Sequence, residues 1–84
     1  MAKVYEFLAD GFEEIEALAP VDVLRRGGVE TMTVSIMGRR EVVSAHGVTV
    51  VADLMIEEAG DFSDADMLLL PGGMPGTVSY THLR

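Results

Sequence analysis

The first 36 residues contain a strand, a helix and a second strand, and this order constrains the fold more than any other feature of the sequence. Residues 4–9 form a short, mostly apolar run bounded by turn residues, which is typical of a strand buried on both faces. Good helix formers follow and end in Arg-Arg-Gly-Gly at 25–28, a combination that favours a helix C-terminus. Polar and apolar residues then alternate over 30–36, as in a strand. The order predicts a right-handed parallel βαβ unit.

The remaining segments extend the α/β pattern. Residues 41–44 and 48–51 predict the two strands of a hairpin. Residues 53–63 contain one short helical turn, and the apolar run at 67–70 predicts another buried strand. The sequence Pro-Gly-Gly-Met-Pro-Gly at 71–76 ends that strand abruptly.

The charge balance excludes several classes of partner. Six Lys and Arg against fourteen Asp and Glu give a net charge of −8, which repels phosphate backbones and anionic membrane surfaces. No segment approaches the length of an apolar membrane span, and Glu6 and Asp10 interrupt the first apolar run before it could serve as a signal-peptide core. We therefore expect a cytoplasmic protein that binds neither nucleic acid nor membranes.

The sequence contains no cysteine. Disulfide frameworks, cysteine-based zinc sites and thiol nucleophiles are therefore excluded from the chain itself. His46 and His82 are its two histidines, and a metal cluster is difficult to build from so few. We expect neither a metal nor another cofactor.

The predicted helix carries a carboxylate on its apolar side. At 100° per residue from Phe12, Glu16 lies inside a stripe of apolar side chains, whose members are Phe12, Ile15, Ala19 and Val23. Burial would favour its neutral form and make Glu16 a functional acid. The same spacing also fits a second interpretation, in which Glu16 lies at the edge of the stripe and reaches water. Apolar residues on the opposite face, Leu18, Val21 and Leu24, predict that the helix also packs against a second surface.

The glycine loop is the second candidate site. Gly72 and Gly73 follow a predicted parallel strand, at the sheet edge where α/β proteins bind ligands. Their N–H groups could approach a substrate or a developing oxyanion. The loop has neither the dinucleotide fingerprint nor the Walker pattern, so a plain turn fits it equally well. His46, at the predicted hairpin tip, fits an exposed turn residue.

Three separated motifs together resemble one family. The stretches Leu-Ala-Asp-Gly-Phe-Glu-Glu-Ile-Glu at 8–16, Pro-Val-Asp-Val-Leu-Arg-Arg-Gly-Gly at 20–28 and Leu-Pro-Gly-Gly at 70–73 look like the ThiJ/PfpI superfamily, particularly its YajL-like, parkinsonism-associated deglycase branch. The resemblance covers residues 3–77. It implies a flavodoxin-like α/β sandwich with a mainly parallel sheet, related to class I glutamine amidotransferase domains, and a homodimer.

The resemblance also assigns roles to residues. Glu16 matches the family's protonated carboxyl group that hydrogen-bonds the reactive cysteine. Gly73 matches the glycine whose N–H helps form the oxyanion hole, and Gly72 provides the bend. His46 occupies a hairpin position near the site and the dimer interface, where some members have Arg. Arg25 and Arg26, with the apolar outer face of the helix, resemble dimer contacts.

The chain also departs from the family pattern. Family members continue for many more residues and carry the cysteine there, whereas this chain stops at Arg84. Residues 78–84 do not read like the family's next helix and resemble sequencing-adapter read-through. We therefore expect residues 1–77 to be the N-terminal part of a single domain, 78–84 to be a foreign tail, and the chain to be a truncated gene product without activity.

The resemblance implies that the intact protein is a cysteine-dependent glyoxalase or protein deglycase acting on small reactive carbonyl compounds or their adducts. A redox-responsive chaperone or stress sensor is the first alternative. An amidase or peptidase of the same superfamily is another. A small module whose glycine loop binds an anion is the non-enzymatic alternative.

Overall fold

The computed structural model describes residues 2–58, 60 and 62–71. Its elements alternate as the sequence predicts, with one additional short strand. In chain order they are β1 (Lys3–Leu8), α1 (Glu14–Arg26), β2 (Glu30–Ser35), β3 (Glu41–Val43), β4 (Thr49–Val51), β5 (Leu54–Met55), a 3-10 turn (Ile56–Glu58) and β6 (Met67–Leu69).

The strands form a parallel sheet and a separate hairpin. The four-stranded sheet has the order β5-β2-β1-β6, and all of its pairings are parallel. Strands β3 and β4 pair antiparallel. The predicted βαβ unit and the predicted hairpin are therefore confirmed. The two-residue strand β5 was not predicted, because two residues carry too little periodicity to distinguish a strand from a loop.

The central strand β1 carries core side chains on both faces of the sheet. Tyr5 and Phe7 lie on one face, where the ring of Phe62 meets each of them edge-on at a centroid distance of 5.0 Å. Leu8 lies on the other face, in a cluster with Phe12, Ala17, Val42 and Ala52. Burial on both faces is the arrangement expected for a parallel strand.

The buried face of α1 differs from the predicted stripe. Ala17 and Val21 are the buried residues of the helix, whereas Ile15 and Val23 are 73% and 65% exposed. Phe12 is buried but precedes the helix, so counting 100° per residue from Phe12 set the wrong phase. The stripe that contained Glu16 was therefore wrong. The helix ends at Arg26 as predicted, and Gly28 adopts the left-handed conformation with φ of 82°.

Asp53 ties α1 to the sheet. Its Oδ2 accepts hydrogen bonds from the backbone N–H of Thr33 at 2.9 Å and from the Arg25 guanidinium at 2.7 Å. Arg25 also donates to the carbonyl of Thr31 at 2.8 Å. One carboxylate therefore joins the C-terminal turn of the helix to β2.

We expect Asp53→Ala to lower the free energy of unfolding by about 1–3 kcal/mol, because it leaves the buried N–H of Thr33 without its acceptor. Urea unfolding measures the loss. Asp22→Ala is the matched control, since Arg26 on the exposed helix surface is the one ion-pair partner of Asp22 among the described residues. The loss in this variant should stay at about 0.5 kcal/mol or less. Equal losses of unfolding free energy in the two variants would contradict a stabilising role for the hydrogen bonds of Asp53.

Strand β6 forms one edge of the sheet. Met67 and Leu68 are each about half exposed there, at 53% and 51%. The predicted strand is therefore present, but the prediction that it is buried was wrong. Within residues 2–58, 60 and 62–71, no helix is long and apolar enough to cross a bilayer.

Candidate functional site

The carboxyl ends of strands β1 and β6 lie at the same edge of the sheet. β1 and β6 run in the same direction with Glu6 opposite Leu69, so the segments that follow them leave the sheet on the same side. The segment after β1 leads into the first turn of α1, and the segment after β6 begins at Leu70 and continues to the buried Pro71. Gly72 and Gly73 lie outside the described residues, and their role stays a prediction.

Glu16 lies in the first turn of α1 and is exposed. Among the described residues, its side chain forms no hydrogen bond or ion pair. The burial of Glu16 that the predicted apolar stripe implied is therefore not observed. Its carboxylate instead faces solvent close to the carboxyl edge of the sheet.

Glu13 and Glu14 contact the tip of the β3–β4 hairpin. Glu13 is the N-cap of α1, and its Oε1 accepts from the N–H of Ile15 at 2.9 Å. The Nδ1 atom of His46 lies 2.8 Å from Oε1 of Glu14 and 3.7 Å from Oε2 of Glu13. No local pattern in the sequence indicates this cluster, because His46 is more than 30 positions from Glu13 and Glu14 and meets them only through tertiary folding.

The Glu14 carboxyl is held in its charged form. A hydrogen bond from its own backbone N–H lowers its pKa, and the hydroxyl of Ser44 and the imidazole of His46 lower it further against the opposing effect of desolvation. The helix N-terminus favours a negative charge at this position. Glu14 is therefore an ionised carboxylate beside His46 at neutral pH.

Glu6 is the buried carboxyl group that sequence analysis overlooked. It is 1% exposed, and its Oε2 accepts no hydrogen bond from the described residues. Burial raises the pKa of Glu6 from 4.5 to about 8. Because Leu8 packs against α1, Glu6, two positions earlier in the same strand, faces the same side of the sheet. The sequence did contain a signal for Glu6, because it is a carboxylate within a strand predicted to be buried on both faces.

Both predicted dimer-contact arginines have partners within the chain. Arg25 pairs with Asp53, as described above, and Arg26 donates to Asp22 at 3.0 Å. The exposed large apolar residues of α1 are Ile15, Leu18 and Val23. The dimer itself stays a prediction.

Comparisons with known proteins agree with the fold and the motifs. A family model for the DJ-1/PfpI family matches residues 2–82. Over 74 residues the chain is 40% identical to Protein DJ-1 homolog B of Arabidopsis thaliana, covering 88% of this chain and 17% of that protein. Over 74 residues it is 38% identical to the Parkinson disease protein 7 homolog of Danio rerio, covering 88% of this chain and 39% of that protein.

Solved structures give the same result. Oxidized DJ-1 from Toxoplasma gondii superposes with a TM-score of 0.83 at 39% identity, covering 89% of this chain and 40% of that one. The predicted resemblance and the flavodoxin-like α/β fold are thereby confirmed. The chain spans less than half the length of each of these proteins.

Proposed function

The chain belongs to the DJ-1/PfpI family, and from this premise we propose that it supplies part of the site of a cysteine-dependent glyoxalase or protein deglycase. Its contribution is an acid–base carboxyl group, Glu16, and oxyanion-binding amides at Gly72 and Gly73. The cysteine belongs to sequence that this chain does not contain. The 84-residue chain is therefore inactive by itself.

The position of Glu16 is the observation that carries this proposal. The carboxylate is exposed on the first turn of α1, beyond the carboxyl end of β1. Ligands of open parallel sheets bind outside the carboxyl ends of the strands. An additional segment that carried a thiol could therefore approach Glu16 without displacing a core side chain.

The proposed reaction begins with thiolate attack on the carbonyl carbon of an aldehyde. A carbon–sulfur bond forms, and the carbonyl π electrons move to oxygen. The N–H of Gly73 stabilises the resulting oxyanion, with Gly72 allowing the bend that presents it. The Glu16 carboxyl transfers its proton to that oxygen, which gives a hemithioacetal. For methylglyoxal, the carboxylate so formed then takes the proton from the former aldehyde carbon and returns it to the neighbouring carbon, which gives a thioester. Water breaks the carbon–sulfur bond of that thioester, releasing the hydroxy acid and regenerating the thiol. His46, at the hairpin tip, contacts the substrate in this proposal.

We expect the 84-residue chain to leave methylglyoxal unconsumed, and a version extended by its native downstream sequence to consume it. In the extended protein, Glu16→Gln should lower kcat/KM by about 100-fold or more, because it removes a positioned proton donor. Glu41→Gln, an exposed substitution on β3, is the matched control and should retain full activity. Turnover by the short chain would contradict the cysteine mechanism, and full activity of the Glu16 variant would remove Glu16 from it.

A redox-responsive chaperone or stress sensor is the second proposal. It is favoured by one observation, that the Toxoplasma gondii DJ-1 structure is of an oxidized form. In the extended protein, partner binding that depends on cysteine oxidation, without turnover, would favour this role over the enzyme. For either role we propose a cytoplasmic homodimer, and the exposed Ile15 and Val23 on α1 support a contact through that helix.

A further inference from the structure

Strand β6 offers outward-facing backbone groups at one edge of the sheet. Among the described residues, β1 is its one neighbouring strand. The N–H of Asp66 donates to the carbonyl of Lys3 at 2.8 Å, and the backbone groups of successive residues in a strand point to opposite sides. The N–H and C=O groups of Leu68 therefore face β1, whereas those of Met67 and Leu69 point away from β1.

The two edges of the sheet differ in how they are protected. At the opposite edge, the N–H of Met55 in β5 donates to the carboxylate of Glu58 at 2.9 Å. Charged side chains and prolines are features that keep natural sheet edges from pairing with other strands. Residues 67–70 read Met-Leu-Leu-Leu and contain neither a charge nor a proline. The β6 edge is therefore open to a further strand.

Apolar side chains are exposed on both faces of β6. Met67 and Leu68 are about half exposed, and Leu70 beyond them is 43% exposed. Met67 and Leu68 are successive residues of one strand, so their side chains stand on opposite faces of the sheet. A strand added at this edge would cover apolar surface on both faces, which is favourable.

We propose that two copies of the 84-residue chain pair through β6, antiparallel, with Leu68 of each copy on the twofold axis. In this register Met67 lies opposite the partner's Leu69, and the partner's Met67 lies opposite Leu69. Each of these pairs exchanges two N–H···O=C hydrogen bonds through the groups that point away from β1. The two Leu68 side chains meet at the axis. The sheets of the two copies become one continuous sheet.

The charges near β6 favour this register and a second copy as the occupant. Asp66 lies opposite the partner's Leu70, and the carboxylate of Asp64 pairs with Lys3 of its own chain at 2.7 Å. A register centred two residues earlier would bring the two Asp66 carboxylates together, and like charges directly opposite are destabilising. A twofold contact uses the same edge of both copies, so it closes without any other protein.

The contact is small, so the expected association is weak. A standard protein interface buries about 1,200–2,000 Å², more than a pairing of two short strands covers. The net charge of −8 on each copy also opposes association, and salt screens this repulsion. Measurements therefore use chain concentrations of about 0.1–1 mM at about 0.15 M salt. This contact is separate from the helix contact proposed for the intact protein.

Sedimentation equilibrium of the 84-residue chain tests the proposal. The average mass should rise with concentration from 9.0 kDa toward twice that value and stop there. Leu68→Lys should lower the association constant about fivefold or more, because two ammonium groups replace the apolar pair at the axis. Val23→Lys is the matched control, since it adds the same charge at an exposed position of α1, and it should associate as the parent chain does. Circular dichroism shows whether each variant is folded.

Amide hydrogen exchange followed by NMR gives a measurement that needs no substitution. The N–H groups of Met67 and Leu69 should exchange more slowly as the chain concentration rises, because they become bonded in the pair. The N–H of Leu68 faces β1 and should be protected equally at low and high concentration.

Four results would overturn the proposal. The first is a mass that stays at 9.0 kDa over the whole concentration range. The second is growth of the mass beyond that of a dimer. The third is association that is lost in Val23→Lys and kept in Leu68→Lys, which would place the contact on α1. The fourth is exchange at Met67 and Leu69 that does not depend on concentration.

Discussion

Glu6→Gln is expected to stabilise the protein at pH 8 and to have little effect at pH 5. Glu6 is fully buried in β1, and its pKa is raised from 4.5 to about 8. Between these values the folded chain retains the proton and the unfolded chain releases it, so stability falls as pH rises. The slope is about 1.4 kcal/mol per pH unit, or about 4 kcal/mol from pH 5 to pH 8. Gln stays neutral and removes this slope.

Urea unfolding of the parent chain and the Glu6→Gln variant at several pH values between 5 and 8 measures the effect. At each pH, the difference in the free energy of unfolding between the parent chain and the variant gives the contribution of Glu6, because the other titrating groups are the same in both. Glu41→Gln makes the same chemical change on an exposed part of β3, and its profile should run parallel to that of the parent chain. A parallel profile for Glu6→Gln would show that Glu6 is ionised in the folded protein.

Phe12→Ala is expected to lower the free energy of unfolding by about 3–5 kcal/mol. Phe12 is fully buried in the cluster that joins β1, α1 and the hairpin, with Leu8, Ala17 and Val42 around it. A chain of this length has a total stability of about 4–13 kcal/mol. The substitution should therefore remove a large part of the stability, and for a total of about 4 kcal/mol it would unfold most molecules even without denaturant.

Ile15→Ala is the variant to compare with Phe12→Ala. The sequence pattern placed Phe12 and Ile15 on one buried face, whereas Ile15 is exposed in the structure. Its substitution should change the free energy of unfolding by about 0.5 kcal/mol or less. Thermal or urea unfolding of both variants distinguishes the two arrangements, since equal losses would support the sequence-based face and contradict the structure.

Strands β1 and β2 were predictable because each is a local pattern. The apolar run that became β1 and the alternation that became β2 carry their own periodicity, and the Arg25-Arg26-Gly27-Gly28 stretch ends the helix by its own chemistry. These signals need no knowledge of distant residues. The order of elements followed from them.

The buried helix face was not predictable in the same way. The 100° spacing shows which residues share a face with a reference residue only if that reference residue belongs to the helix. Phe12 is apolar and adjacent to the helix, but it is buried through the loop that follows β1. The first helical residue is Glu14, and the N-cap Glu13 marks the start. A side-chain cap from Glu is a weak sequence signal compared with Ser, Thr, Asp or Asn.

The candidate site was predictable only in part. The motifs directed attention to Glu16, which the structure places on the expected edge of the sheet. The contact of His46 with Glu14 depends on how the hairpin folds back over the helix N-terminus, and no local pattern encodes that contact. Glu6 was visible as a charge within an apolar strand, but the lack of a hydrogen-bond donor to its Oε2 among the described residues is a property of the folded core.

The position of β1 in the sheet also determines how the chain reaches its folded state. β1 is synthesised first, yet one of its two neighbours is β6, and the contact of Lys3 with Asp66 joins residues 63 positions apart. Such a long loop must close before the central strand is complete, and parallel sheets with distant pairings form slowly. During translation, the apolar residues of β1 stay without their second neighbour until β6 has left the ribosome. Slow closure of this pairing, rather than helix formation, should therefore limit the folding rate.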